Sequence, residues 1–145
     1  LEGKFLYQRR AAFSDTDAMG VVHHANYLRF CEEARVAWMR EKGLAGTHYP
    51  QSDKVLAVLH YQVWHLKPCT FDDLIKIYLQ VHRIGLKIQF QYAIYKQVEA
   101  TEVRIAEAET LHIPVDKDLK PARPSAQLMQ QLEKETWIET WLSNS

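Results

Sequence analysis

The segment Leu74–Val98, LIKIYLQVHRIGLKIQFQYAIYKQV, decides what kind of sheet this chain builds. From Leu74 to Arg83, Ile75, Ile77, Leu79 and Val81 alternate with Lys76, Tyr78, Gln80 and His82. From Lys87 to Val98, Ile88, Phe90, Tyr92 and Ile94 share one face in the same way. A two-residue period puts successive side chains on opposite faces of a strand. The link Ile84-Gly85-Leu86 has room only for a hairpin, so these two strands pair antiparallel. Their half-polar faces also suit an antiparallel sheet, because parallel strands are buried on both sides.

Reading outward, Val55–Leu66 is apolar, β-branched and aromatic, and it stops at Pro68. Thr101–Val115 repeats the period of two in Val103, Ile105, Leu111 and Ile113. Short links between these runs predict that neighbours in sequence are neighbours in the sheet. Lys4–Phe13 reads as a further strand, closed by Ser14-Asp15-Thr16-Asp17, whose short polar side chains favour turns.

The period changes between His24 and Lys42, where Tyr27, Phe30, Cys31, Ala34, Ala37 and Trp38 recur at helical steps. Gly43 is the expected stop, after Arg40 and Lys42 at the negative end of the dipole. Leu28, Val36 and Met39 fall on the opposite side, so this helix asks for cover on more than one face. After Asp116 a polar loop, Lys117–Pro124, leads to Ser125, a cap for a final helix carrying Leu128, Leu132, Trp137, Ile138, Trp141 and Leu142. The expectation is an α+β domain spanning residues 1–145: about five antiparallel strands, one long helix and a C-terminal helix.

Composition narrows the function. A chain of 145 residues buries ~70% of the surface its unfolded form exposes, and 47% hydrophobic content supplies a core. Eighteen basic and eighteen acidic residues cancel, which argues against a nucleic-acid partner but not against a small anion. Cys31 and Cys69 sit among apolar neighbours and read as buried thiols in a reducing compartment. Leu1–Arg10 lacks the apolar run of a signal peptide and no stretch of eighteen apolar residues occurs, so a cytoplasmic protein without a transmembrane segment is expected. No metal and no cofactor are expected. His23 and His24 are adjacent and diverge, His60 and His65 fall on opposite faces of a strand, and His48, His82 and His112 are isolated. Neither a G-x-S-x-G element nor a glycine-rich phosphate loop is present.

Reactive residue types concentrate in Asp15–Tyr27, DTDAMGVVHHANY, between the first strand and the long helix. The first N–H groups of a helix lack intrahelical partners and favour negative charge, so they can hold a carbonyl oxygen becoming an oxyanion. A carboxylate nearby could attack that carbonyl or activate water. Gly20 lets the backbone turn tightly. Asp15 adds a second negative charge that would raise the pKa of Asp17, depending on orientation. The plainer alternative is that Asp, Thr and Asn here only close turns and cap the helix.

Phe13–Tyr27 resembles the active-site segment of the 4-hydroxybenzoyl-CoA thioesterase family, and looks similar to bacterial acyl-CoA thioesterases associated with the Tol–Pal system. The family pattern D-x-D-x-x-G-x-V-x-[HYW]-x-x-Y is matched by Asp15, Asp17, Gly20, Val22, His24 and Tyr27. Glu32-Glu33-Ala34-Arg35 through Gly43, Leu66–Asp73, and Val115-Asp116 with Lys120–Pro124 extend the likeness over nearly the whole chain. It implies a hotdog fold, in which an antiparallel sheet wraps one long helix, and an acyl-CoA thioesterase activity releasing a carboxylic acid and CoA. By the same resemblance Asp17 is the catalytic carboxylate, as nucleophile or general base. His24 orients the substrate and its backbone N–H polarises the carbonyl, while Gly20, Val22, Asn26 and Tyr27 bind substrate. Phe13 stands where similar enzymes often carry Tyr, and Gly85-Leu86-Lys87-Ile88 lacks a Ser or Thr common at the start of the fourth strand.

Arg83 and Lys87, with Lys120 and Arg123, are the candidate partners of the CoA phosphates. A sheet around a single helix leaves little room for pantetheine. With the helix's second apolar side, this predicts a homodimer or homotetramer with sites at the shared boundary. Three alternatives stay open: an acyl-ACP thioesterase, a hotdog dehydratase using a His with Glu32 or Glu33, and a non-catalytic acyl-CoA-binding module.

Overall fold

The structure, a computed structural model, describes residues 3–44 and 55–144, so His48 lies outside the described residues. Its elements are β1 (Phe5–Arg10), α1 (Ala25–Glu41), β2 (Val55–His65), β3 (Leu74–Ile84), β4 (Lys87–Val98), β5 (Thr101–Val115) and α2 (Ala126–Lys134). The strands form one antiparallel sheet in the order β1-β3-β4-β5-β2. No helix among the described residues is long and apolar enough to cross a membrane.

The β3–β4 hairpin follows its sequence pattern, with Ile77 opposite Ile94, Leu79 opposite Tyr92 and Val81 opposite Phe90. These residues form the floor on which α1 lies. Over a length of ~26 Å the helix lays Tyr27, Phe30, Cys31, Ala34 and Trp38 against them. Trp38 meets Phe90 edge-on at 5.6 Å. The helix stops as its sequence indicates: Gly43 takes φ +73°, and Leu44 N–H reaches back to the Met39 carbonyl at 2.7 Å. Of the three apolar residues expected on the far side, Leu28 and Val36 are half-buried, but Met39 is buried.

Three expectations need correction. First, β2 does not lie beside β3; it pairs with β5 at the opposite edge. The Leu66–Asp73 link is long enough to cross the sheet, and it is pinned on the way by Val22 N–H donating to the Cys69 carbonyl at 2.8 Å. Second, β5 does not keep one parity. The register slips between Ile94 and Tyr95, whose partners are Ala106 and Arg104, leaving Ile105 as the extra residue of a bulge. Beyond it Ala106, Ala108, Thr110 and His112 join the helix side, opposite Ile94, Tyr92, Phe90 and Ile88, while Leu111 and Ile113 turn outward.

Third, the C-terminal helix is shorter than its apolar residues suggest. Ser125 caps it by accepting from Leu128 N–H at 3.2 Å, but Glu135 is already extended and the helix ends at Lys134. Residues 135–144 are drawn onto the outer sheet face instead. Buried Gln80 exchanges two hydrogen bonds with the backbone of Ile138, at 3.1 and 3.0 Å. Trp137 stacks on His82 with centroids 3.5 Å apart, and buried Glu107 accepts from the N–H groups of Ser143 and Asn144. Each of these partners offers the tail more than another helical turn would.

A chain of polar groups crosses the core. Arg35 donates to Tyr92 Oη at 3.2 Å, Tyr92 Oη meets Thr110 Oγ1 at 2.7 Å, and His112 Nε2 meets the same hydroxyl at 2.8 Å. Burial first, and the Arg35 charge second, push the His112 pKa from 6.5 down to about 3. Below pH 6.5 the unfolded chain takes up a proton that the folded chain refuses until about pH 3, so stability present above 6.5 is lost as pH falls through this window. We expect the unfolding free energy to drop between pH 6.5 and 5 by up to ~1.4 kcal/mol per pH unit from this group, and the thermal midpoint to fall with it. Thermal unfolding across that range checks it: His112→Gln should flatten the slope, whatever its effect on the plateau.

Candidate active site

The loop between β1 and α1 is held by Asp15. Its side chain is 1% exposed and accepts from Arg9 Nη2 of β1 at 2.6 Å, from Arg29 of α1, and from Ala12 N–H at 2.7 Å. Its carbonyl accepts from His23 N–H at 2.9 Å and from Asn26 Nδ2 at 2.7 Å. Asp15 therefore ties strand, loop and helix start together. Its charge is met by two guanidinium groups, so it does not form a carboxylate pair with Asp17.

Thr16–Val22 folds as a small hairpin around Gly20, which takes φ +82°, a conformation that favours glycine. Asp17 sits at its base: Oδ1 accepts from Met19 N–H at 2.9 Å, and its carbonyl accepts from Gly20 N–H at 3.0 Å. The plainer reading of Asp17 as a turn residue thus holds for one carboxylate oxygen. The other oxygen has no hydrogen-bond partner among the described residues, and the side chain is half-buried.

His24 opens α1 without a side-chain cap bond of its own. The cap comes from His23, whose Nδ1 accepts from Ala25 N–H at 3.0 Å, and the two rings stack at 4.1 Å. Val22 and His23 N–H groups are taken by Cys69 and Asp15, whereas that of His24 has no partner among the described residues. An N–H at a helix head, left unpaired beside a cleft, can hold an oxyanion.

That cleft holds about 250 Å³ and is lined by Val22, His24, Tyr27, His65, Leu66, Lys67 and Pro68. Tyr27 is buried, its hydroxyl 3.3 Å from Cys69 Sγ and its ring edge-on to His65 at 4.8 Å. Burial, then the contact with Cys69, raises the Tyr27 pKa strongly, which keeps the phenol protonated. Of the residues expected to bind substrate, Val22 and Tyr27 reach the cleft. Gly20 lies at an exposed hairpin tip, and Asn26 spends its amide on the Asp15 carbonyl, so both shape the loop rather than line the wall.

The expected phosphate partners are elsewhere. Arg83 and Lys87 flank the β3–β4 turn, about ten residues along the hairpin from the Cys69–Leu74 end, hence ~30 Å away in the same chain. Lys120 and Arg123 follow β5, whose last residues run beside the start of β4 at that distant end. Among the described residues Lys67 is the cation lining the cleft, and Lys96 Nζ donates to the carbonyl of its wall residue Pro68 at 3.0 Å. A dehydratase carboxylate is not available on α1. Glu33 is bound by Tyr7 and Arg9 on the β1 side, and Glu32 points to solvent. Arg9 and Arg29 carry no local sequence signal for a place in the site, while His65, weighed above only as a metal ligand, had its parity on β2 as a signal for the cleft side.

Comparison with known proteins now decides the family. A family model described as the thioesterase-like superfamily matches residues 11–132. The chain belongs to that superfamily. Two relatives are 1,4-dihydroxy-2-naphthoyl-CoA hydrolases. That of Nostoc punctiforme is 31% identical over 94% of this chain and 87% of its own length. That of Thermosynechococcus vestitus is 32% identical over 74% and 73%. A crystal structure of an Aquifex aeolicus protein superposes with a TM-score of 0.80 at 29% identity, covering 88% of this chain and 98% of the other. The architecture is the hotdog fold, and the thioesterase-like chain is a thioester hydrolase.

Asp15→Asn leaves Arg9 and Arg29 against a neutral amide. Breaking a buried ion pair costs about 3–5 kcal/mol, and the lower figure applies here because the Arg29 side chain is 51% exposed. Calorimetry should show a thermal midpoint lower by roughly 6–12 °C.

Proposed function

We propose that this thioesterase hydrolyses acyl-CoA thioesters to the carboxylic acid and CoA, at the cleft beside the head of α1. The observation that carries the reading is the His24 N–H, unpartnered among the described residues and next to that cleft, on the same loop as Asp17, whose side chain stands outside the residues lining it. The N–H would receive the thioester oxygen, a donor worth ~3–4 kcal/mol at the transition state. Asp17 is the catalytic carboxylate, as nucleophile or general base, as the likeness to 4-hydroxybenzoyl-CoA thioesterases implies. The relatives that act on a dihydroxynaphthoyl thioester, and the aromatic walls Tyr27 and His65, favour a flat aryl acyl group. Free buried Cys31 and Cys69 fit a reducing, cytoplasmic setting.

The reading includes a second copy. Val58, Leu59 and Tyr61 on the edge strand β2 are each half exposed, and an edge strand also presents unpaired backbone groups. Pairing there would extend the cleft, and Arg83 and Lys87, remote within one chain, would serve the CoA phosphates from the partner. The assembly is a homodimer or homotetramer.

Thiol release from a panel of aliphatic, benzoyl and naphthoyl CoA thioesters, with carrier-protein thioesters alongside, tests the activity and separates CoA from carrier-protein substrates. Asp17→Asn should lower turnover by about 10²–10⁴-fold or more while leaving the fold intact; an unchanged turnover number removes Asp17 from the mechanism. Arg83→Ala with Lys87→Ala should raise KM for CoA substrates and leave kcat nearly unchanged. Sedimentation combined with activity at assay dilution checks the assembly: a fully active monomer contradicts it.

A further inference from the structure

We propose that His65 is a further catalytic residue of this cleft, taking the proton of the attacking water and passing it to the sulfur of the departing thiolate. The inference rests on the thioesterase reading above and assigns a role to the wall of the cleft facing the helix.

Two walls are present. One is the head of α1, with His24 and Tyr27; the other is the end of β2 and its exit, His65 to Pro68. His65 pairs with Ala106, and Ala106 with Ile94, a core residue, so the register puts His65 on the helix side of the sheet. The Tyr27 ring meets it at 89°, which fixes the imidazole plane across the cleft. The other nearby imidazoles are otherwise engaged. His23 uses Nδ1 to cap the helix, and His24 lies stacked on His23. His65 is exposed at the mouth of the cleft, and both its ring nitrogens are without hydrogen-bond partners among the described residues, so one is open to accept from a water that enters.

The surroundings keep that acceptor ready. Partial desolvation against the Tyr27 ring, and then the charge of His24, push the His65 pKa below 6.5. The other groups about it are Tyr27, Lys67, Lys96 on the Pro68 carbonyl, and Asp73, whose charge acts on Tyr27 and Cys69. At neutral pH the ring is a neutral base.

With His65 handling the water, Asp17 takes the nucleophile's part. Its carboxylate oxygen bonds to the acyl carbon, and the C–S bond breaks with its electron pair on sulfur. Water then adds to the acyl carbon of the anhydride and its proton moves to a ring nitrogen of His65. The bond from the acyl carbon to Asp17 breaks, returning the carboxylate. The imidazolium proton passes to the thiolate, and the products are acid and thiol.

The test compares wild type, His65→Gln and His65→Phe on an acyl-CoA that the wild type hydrolyses. Phe retains the aromatic contact with Tyr27, so a purely structural role would be rescued by it. Both variants should lose about 10²–10⁴-fold in kcat with KM within a few fold, and release one equivalent of thiol per site in a burst before slow turnover. The acid limb of kcat/KM, below pH 6.5 in the wild type, should shift toward the carboxylate range in both variants. Unchanged kcat, a retained acid limb, recovery in His65→Phe, or slow turnover without a burst would each overturn the assignment. A wild type inactive on every acyl-CoA overturns the hydrolase reading itself, and this assignment with it; an active wild type beside active His65 variants overturns His65 alone.

Discussion

The buried carboxylate of Asp15 is the constraint on which the rest of the site depends. An ionised group at 1% exposure is tolerable only with partners that replace its water, and Arg9, Arg29 and Ala12 N–H supply them. Those partners come from a strand, a helix and the turn between them. Neutralising the charge therefore fixes the angle at which the chain leaves the sheet and enters α1. The His23 and Asn26 contacts to the Asp15 carbonyl complete the junction. The position of the His24 N–H, unpaired among the described residues, is thus set by an ion-pair network that does not line the cleft.

Much of the architecture is legible in the residues because one period dominates each element. The β3–β4 hairpin alternates without interruption, and the α1 stripe from Tyr27 to Trp38 is the buried stripe. The failures are non-local. The position of β2 depends on where the Leu66–Asp73 link is pinned, and that pin is a backbone bond from Val22, which no side-chain pattern encodes. The β5 bulge hides among apolar residues, since Val103 precedes it, Ile105 forms it, and Leu111 and Ile113 come after it. Trp137, Ile138, Trp141 and Leu142 can be placed on one helical face, yet Gln80, His82 and Glu107 offer the tail better partners.

The site divides in the same way. The loop from Asp15 to Tyr27 is contiguous, so its residues could be named from spacing and resemblance together. The opposite wall is assembled from the end of β2, far along the chain, and a histidine there carries no local signal beyond its parity. Asp15 and Asp17 illustrate the limit: they are two residues apart and chemically alike. One is locked to two arginines, and the other closes a half-exposed turn.

The tail of residues 135–144 has a meaning for assembly. By filling the outer face of β3, β4 and β5 with its own backbone bonds and the Trp137 ring, the chain saturates the surface on which two sheets could otherwise stack back to back. Among the described residues the β2 rim stays open, with Val58, Leu59 and Tyr61 half exposed along it. The β2 rim runs into His65 on the cleft wall, so a second chain added along that edge would reach the cleft, whereas one stacked on the outer face would meet the tail instead.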